Sequence, residues 1–316
     1  AQFLEWPGFV LVVCGTLIHA VFIIQKKRIL NTKLPADVLT TCYTLISGFL
    51  FLSLSFLFNP PKIWSVFHWP LGVFWPLFAT CILNLGIQFG NTRAQKFAET
   101  ALVAPIQGFQ PFFALLPAWL ILGEVPSKTG YFGLALVAVG LFVYSLTQKI
   151  KDPEKVPLWA KTPDGRLRAV APMAMLFTNK GVRLAFFTAI CGAAAVNCDK
   201  RAVLLSSYLF TPGVSYLFSG LIGLFFLRKE SWNKFSIKRH LRMVLGAGFL
   251  YTAINTLYFS AFKYGMAIYV GSMKRLHIFF VIILSHFILK ESIAKDKKLW
   301  IGVVLFSFGL FLFTVI

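Results

Sequence analysis

Long apolar runs alternate with short polar stretches along nearly the whole chain. A helix rises about 1.5 Å per residue, so roughly 20 apolar residues cross the hydrocarbon core of a bilayer. On that ruler the pattern predicts ten helices, over 7–25, 36–58, 70–91, 98–122, 130–147, 182–199, 206–227, 241–262, 266–289 and 298–316. Most connectors are short. The stretch 148–181 is different: it holds Pro153, Pro157, Pro163 and Pro172 among many charges, and it reads as a linker between two halves.

The halves echo one another. RAQKFAETALVAP leads into QPFFALLPAWLILGE, ending at Glu124, and SAFKYGMAIYVGS leads into HIFFVIILSHFILKE, ending at Glu291. Each is followed by a helix with spaced glycines, Gly133 and Gly140 in the first and Gly302 and Gly309 in the second. Lys27-Arg28 after span 1 matches Lys200-Arg201 after span 6. The predicted organisation is therefore a five-helix repeat over 1–147, a cytoplasmic linker over 148–181 and a second five-helix repeat over 182–316. Five is odd, so the second repeat must run upside down relative to the first. Inverted repeats of this kind place a solute site at their interface near the midplane.

Composition strengthens the membrane reading. Of the 316 residues 58% are hydrophobic and only 13% charged, with a mean hydropathy of +0.75; a soluble fold of this length must show water more polar surface. The net charge of +20 does not point to nucleic acid, because the basic residues flank apolar runs instead of striping a soluble module. Connectors after odd-numbered spans, with their immediate flanks, carry 24 of the 31 Lys and Arg. Those loops are expected in the cytoplasm and both termini outside it, in a bacterial inner membrane. Cys14, Cys42, Cys81, Cys191 and Cys198 all fall in apolar segments without metal-ligand or disulfide spacing and are expected as small core residues. The first apolar run continues into the multispan pattern, so no cleavable signal peptide is expected.

The doubled motif, a leucine-rich run closing in LGE or LKE before a Gly-spaced helix, resembles the EamA-type fold of the drug/metabolite transporter superfamily over essentially the whole chain. That resemblance implies an all-α integral membrane protein, ten helices in a basket around a central cavity, and alternating access. Within span 9, IYVGSMKRLHIFF sets Lys274 and Arg275 inside an apolar helix. This resembles the phosphate translocator branch, in which such a pair contacts substrate phosphate. The symmetry-related run of that branch carries a lysine and an acidic residue before its proline; here it is IQGFQPFF, with neutral Gln107 and Gln110 before Pro111, which fits a less charged solute equally well.

Ionisable groups inside a span cost about 2.5–3.5 kcal/mol on insertion scales, so they normally face a cavity or a partner. Lys274 and Arg275 are expected to hold an anion, or else to pair with Glu99 or Asp199. His277 and His19, and Asp199 at the end of span 6, are candidates for proton coupling, since histidine titrates near neutral pH; His286 is a further histidine in span 9. Asn84, Gln88 and Asn91 share one helical face in span 3, as Gln107 and Gln110 do in span 4. Asn255 and Tyr258 in span 8 complete the candidate lining. Glu124 and Glu291 read as helix caps or gate pairs.

The function predicted is secondary transport of a small polar, anionic metabolite: an amino acid, an organic acid or a sugar phosphate. The alternative is a flippase for a lipid or lipid-linked phosphate on the same scaffold. Neither HExxH, GxSxG nor a P-loop is present, so catalysis and direct ATP use are not expected, nor any cofactor. The expected partners are the solute and membrane lipid, with the protein a monomer or homodimer.

Overall fold

The computed structural model describes residues 4–32, 34–58, 71–98, 103, 106–146, 176, 179–226, 237–289 and 297–315. Most of the predicted linker, together with Glu99 and Glu291, lies outside the described residues. So does the side chain of His286.

Among the described residues the chain is helical throughout. The first half comprises α1 (Trp6–Asn31), α2 (Ala36–Phe58), α3 (Phe74–Phe97), α4 (Gln110–Pro117) and α5 (Lys128–Leu146). The second comprises α6 (Lys180–Leu205), α7 (Phe210–Phe226), α8 (Ile237–Ala261), α9 (Ala267–Met273), α10 (His277–Leu289) and α11 (Lys297–Val315). A single 3₁₀ turn, Lys274–Leu276, joins α9 to α10, so these two make one segment and each half contributes five. Among the described residues five helices are long and apolar enough to cross a membrane, and four shorter helices are also apolar.

Local sequence explains the breaks. Pro7 opens α1, where its missing N–H costs nothing. Asn179 caps α6, its Oδ1 accepting from the Gly181 and Val182 amides at 2.8 and 3.2 Å. Pro117 withdraws a donor from α4, which widens into a π turn over Ala118–Leu122 and stops at Gly123 with φ of 67°. The left-handed conformation suits glycine there.

Packing between the repeats follows a two-fold pattern. α1 lies on α8 as α6 lies on α3, α4 lies on α6 as α10 lies on α1, and the pairs α2–α7 and α5–α11 map onto themselves. The spaced glycines set the last of these contacts. A Cβ on Gly133 would stand 2.7 Å from the Gly309 carbonyl, one on Gly309 the same distance from the Gly133 carbonyl, and one on Gly140 2.7 Å from the Gly302 carbonyl. Small residues at such crossings let helix backbones touch, the packing that substitutes for a hydrophobic drive in lipid.

The distribution of polarity is inside out. Phe49, Phe58, Trp119 and Phe225 are among the exposed large side chains, while Thr16, Thr40, Ser47, Asn197 and Thr211 are wholly buried. Buried hydroxyls bond back along their own helices, as Thr40 does to the Ala36 carbonyl at 2.9 Å and Thr44 to the Thr40 carbonyl at 2.8 Å. Every polar group in a spanning helix needs such a partner. The cysteines divide likewise: Cys81 and Cys198 are buried and Cys42 and Cys191 half-buried, but Cys14 faces outward, so it is not the core residue expected.

Two boundaries differ from the sequence expectation. α1 continues to Asn31, which puts Lys26, Lys27 and Arg28 in the helix instead of a connector. The Lys27 ammonium donates to the Gln95 and Ala98 carbonyls at 2.5 and 3.0 Å, closing the end of α3. α6 runs to Leu205, so Asp199 lies within the helix, not at its end.

Candidate functional site

Between the halves lies a cavity of about 120 Å³, walled by α1, α3, α4, α6, α7, α8 and the α9–α10 segment. Asn84, Gln88 and Asn91 face it from α3, as their four- and three-residue spacing requires, and Gln95 extends the stripe by one turn. Gln107 and Gln110 face it from the start of α4, Asp199 from α6, and Asn255 and Tyr258 from α8.

These amides are tied to one another and to the backbone. Gln107 Nε2 and Thr188 Oγ1 both donate to Asn91 Oδ1 at 2.6 Å. Gln110 Nε2 donates to the Gly192 carbonyl at 2.9 Å, an approach that α6 permits because a Cβ at Gly192 would fall 2.8 Å from Gln110 Oε1. Tyr43 donates its hydroxyl proton to Gln88 Oε1 at 3.0 Å, and Gln88 Nε2 donates to the Tyr251 hydroxyl. Two amide oxygens, Gln95 Oε1 and Gln110 Oε1, are buried without a partner among the described residues. Beneath the stripe, Phe22, Tyr43, Tyr216 and Tyr251 form a continuous aromatic floor, with neighbouring centroids 5.0–5.5 Å apart.

The opposite wall is cationic. Lys274 and Arg275 occupy the 3₁₀ turn, and both side chains reach the cavity. The Lys274 ammonium sits over three rings of α8 and its C-terminal end, 4.7 Å from Tyr258, 5.1 Å from Phe262 and 5.6 Å from Phe259. That cage is a favourable setting for a cation. Neither residue forms an ion pair with Asp199, and Glu99 is not described. Arg275 makes no hydrogen bond or ion pair among the described residues, and its Nε is buried with no acceptor.

His19 lines the cavity and its Nδ1 lies 3.3 Å from the Tyr258 hydroxyl. His277 stands behind it, fully buried and off the cavity wall, with ring centroids 4.3 Å apart. His277 Nδ1–H donates to the Lys274 carbonyl at 2.5 Å, and Nε2 has no partner among the described residues. Of the two histidines expected at the site, His19 reaches the cavity wall and His277 does not.

Four polar lining residues, Lys26, Gln95, Tyr216 and Tyr251, escaped the sequence reading. Lys26, 4% exposed, reaches the cavity from α1 with its ammonium 5.3 Å from the Phe22 centroid. It follows His19 by seven residues, two helical turns, and Gln95 follows Asn91 by four. Extending either helical face finds them. Tyr216 and Tyr251 carry no such signal, since aromatic residues are common throughout this chain.

At one end the halves are locked together. Lys200 Nζ lies 2.7 Å from Glu124 Oε1 and donates also to the Gly265 carbonyl at 2.8 Å. Glu124 Oε2 accepts from the Ile268 amide at 3.4 Å. A separate apolar groove on the outer surface, between Ile82, Phe89, Phe187 and Phe226 and ending at the Asp37–Arg93 ion pair, shares no lining residue with the central cavity.

A model of the EamA-like transporter family matches residues 6–146 and 179–315, once for each half. The chain belongs to that family. An EamA-like transporter is a membrane transporter. No curated protein matches this EamA-like chain. Among 28 matching chains of solved structures, one crystal structure of a protein aligns with a TM-score of 0.58 at 16% identity, over 95% of this chain and 96% of its own. That likeness concerns the fold alone.

Proposed function

We propose that this EamA-like transporter moves a small anionic metabolite by alternating access of the central cavity to the two sides of the membrane, driven by a solute or proton gradient. The observation that carries the reading is Arg275. A guanidinium offers five donors in a planar fork suited to carboxylate or phosphate, and this one is held in a buried cavity without an acceptor among the described residues. An unpaired buried cation is costly, so the arrangement calls for an anion that comes and goes. Lys26 and Lys274 add positive charge to the same cavity, against the single carboxylate of Asp199. His19, His277 and Asp199 are the groups proposed to carry a coupled proton. A lipid-phosphate flippase would need the cavity to communicate with the lipid-facing groove, and the two have no lining residue in common.

The test is uptake into proteoliposomes, after a thermal-shift screen of carboxylates and phosphate esters against the purified protein has found an anion that stabilises it. A hydrogen bond to a charged group contributes about 1.5–3 kcal/mol, so Arg275→Gln should lower affinity for that anion roughly ten- to hundred-fold. Lys274→Gln should lower it too, with helicity and monodispersity kept in both variants. Unaltered uptake kinetics in both would remove the anion from this site.

A further inference from the structure

The cavity contains a second charged group with no counter-ion in ion-pair contact among the described residues, of opposite sign to Arg275. Asp199 is 6% exposed and lines the cavity from within α6. Its one hydrogen bond among the described residues is weak, donated by Asn84 Nδ2 to Oδ1 at 3.3 Å, and no cation stands within ion-pair reach of it there. Asn84 is itself anchored to Ser215 Oγ at 3.2 Å, which fixes the direction from which Asp199 is approached. The cation that acts on it most strongly is Lys274, whose ammonium is engaged by the Tyr258, Phe259 and Phe262 rings instead.

A buried guanidinium and a buried carboxylate facing one cavity would ordinarily satisfy each other. Here the fold keeps them apart, Arg275 in the 3₁₀ break of one segment and Asp199 on another helix, so each needs a partner from elsewhere. Tyr216 and Tyr251, with ring centroids 5.0 Å apart, line the same cavity and lie within electrostatic reach of Asp199. A carboxylate sharing a cavity with aromatic rings is the chemistry that recognises an organic ammonium, by charge and by cation–π attraction together.

We infer that the solute is zwitterionic: its anionic group meets Arg275, and its ammonium meets Asp199 against Tyr216 and Tyr251. Gln95 Oε1 and Gln110 Oε1, the buried acceptors that lack donors among the described residues, suit the further N–H or O–H groups of such a molecule. The inference rests on the anion reading above and adds a second subsite to it. Asp199 is then a specificity residue, selecting amino-bearing anions over plain ones.

Matched pairs test it: glycine with acetate, β-alanine with propionate, 4-aminobutyrate with butyrate, and 2-aminoethylphosphonate with ethylphosphonate. Binding of each is measured on the full chain in nanodiscs, for the wild type, Asp199→Asn and Arg275→Gln. In the wild type at least one amino-bearing member should bind ten-fold or more tighter than its plain partner. Asp199→Asn should abolish that preference, and Arg275→Gln should weaken both members. Equal binding within every pair in the wild type overturns the ammonium subsite and leaves the anion reading standing, whatever the folding of the variants. A preference that survives Asp199→Asn overturns the role of Asp199. Binding of no member overturns the anion reading and this inference with it.

Discussion

Glu124 and Lys200 meet at 2.7 Å across the boundary between the repeats, with side chains 10% and 12% exposed. Glu124 follows the π turn at the end of α4, and Lys200 stands on α6. Their remaining bonds reach the Gly265 carbonyl and the Ile268 amide, so one ion pair ties the end of the π turn to α6, to the α8–α9 connector and to the start of α9. Removing one partner of a buried pair leaves the other charge uncompensated, at a cost of about 3–5 kcal/mol. Glu124→Gln and Lys200→Met should each lower the thermal stability of the purified protein, and the double variant should lose less than the two singles combined. Strict additivity in the double-mutant cycle would show that the pair contributes no coupling.

The α5–α11 contact brings two helix backbones close together. A Cβ at Gly133 or Gly140 would press against backbone atoms, which cannot swing aside. Gly133→Leu and Gly140→Leu should destabilise by about 1–3 kcal/mol or more through overpacking, with the loss seen as a lower melting temperature in detergent. Gly72, whose added Cβ would meet nothing within 4 Å, should tolerate alanine and serves as the control.

Those glycines also show what a sequence can carry. Their spacing alone marks the last helix of each half, because helix contact in lipid demands small residues at fixed intervals. The amide stripe of α3 is legible for the same reason, as one face of a regular helix. Lys26 is not, because its place in a run of basic residues makes it look like a connector, while the helix in fact carries it inward. The reach of Asp199 into the cavity is hidden by a similar boundary, since the apolar run fades at 199 while the helix continues to Leu205. His277 lies behind His19 and off the cavity wall, a placement that neither apolar spacing nor composition announces. Tyr216 and Tyr251 meet through tertiary packing alone.

Lys26 brings a positive charge into the cavity from α1, the helix packed against the α9–α10 break. Its ammonium rests near the Phe22 ring at 5.3 Å, and its stem covers apolar surface, as long basic side chains do. Lys26→Met keeps that packing and removes the charge. The variant should fold with wild-type helicity and bind the transported anion several-fold more weakly, with a smaller dependence of affinity on salt. Wild-type affinity in Lys26→Met would place the ammonium outside the electrostatic reach of the solute.

The Gln110–Gly192 contact positions the donor and acceptor of one amide differently. Nε2 is held by the Gly192 carbonyl at 2.9 Å, which leaves Oε1 buried and without a partner among the described residues, an acceptor suited to a solute donor. Gly192→Ala would set a methyl group 2.8 Å from Oε1, and the far end of a flexible side chain can yield. The expected cost is therefore in solute affinity more than in folding: KM should rise several-fold while the melting temperature shifts little. A large stability loss with unchanged KM would identify the contact as packing only.

The stacked histidines make a test of proton coupling possible with two substitutions. His19 is the ring that touches the cavity, and its Nδ1 lies beside the Tyr258 hydroxyl. His277 stands 4.3 Å behind it with Nδ1 committed to the Lys274 carbonyl, which leaves Nε2 as the position at which it could gain a proton. A proton entering from the cavity would meet His19 first, so the two act as one unit and are best replaced together. If they relay the coupled proton, uptake that is faster with an acidic exterior should lose that dependence in the His19→Gln, His277→Gln double variant, while exchange of solute against solute at equal pH persists. Acid-stimulated uptake that survives the double variant would move the coupling site elsewhere, and Asp199→Asn is then the next substitution to assay. Retention of exchange is the informative control, because a collapsed cavity would abolish both activities and a missing proton relay only the first.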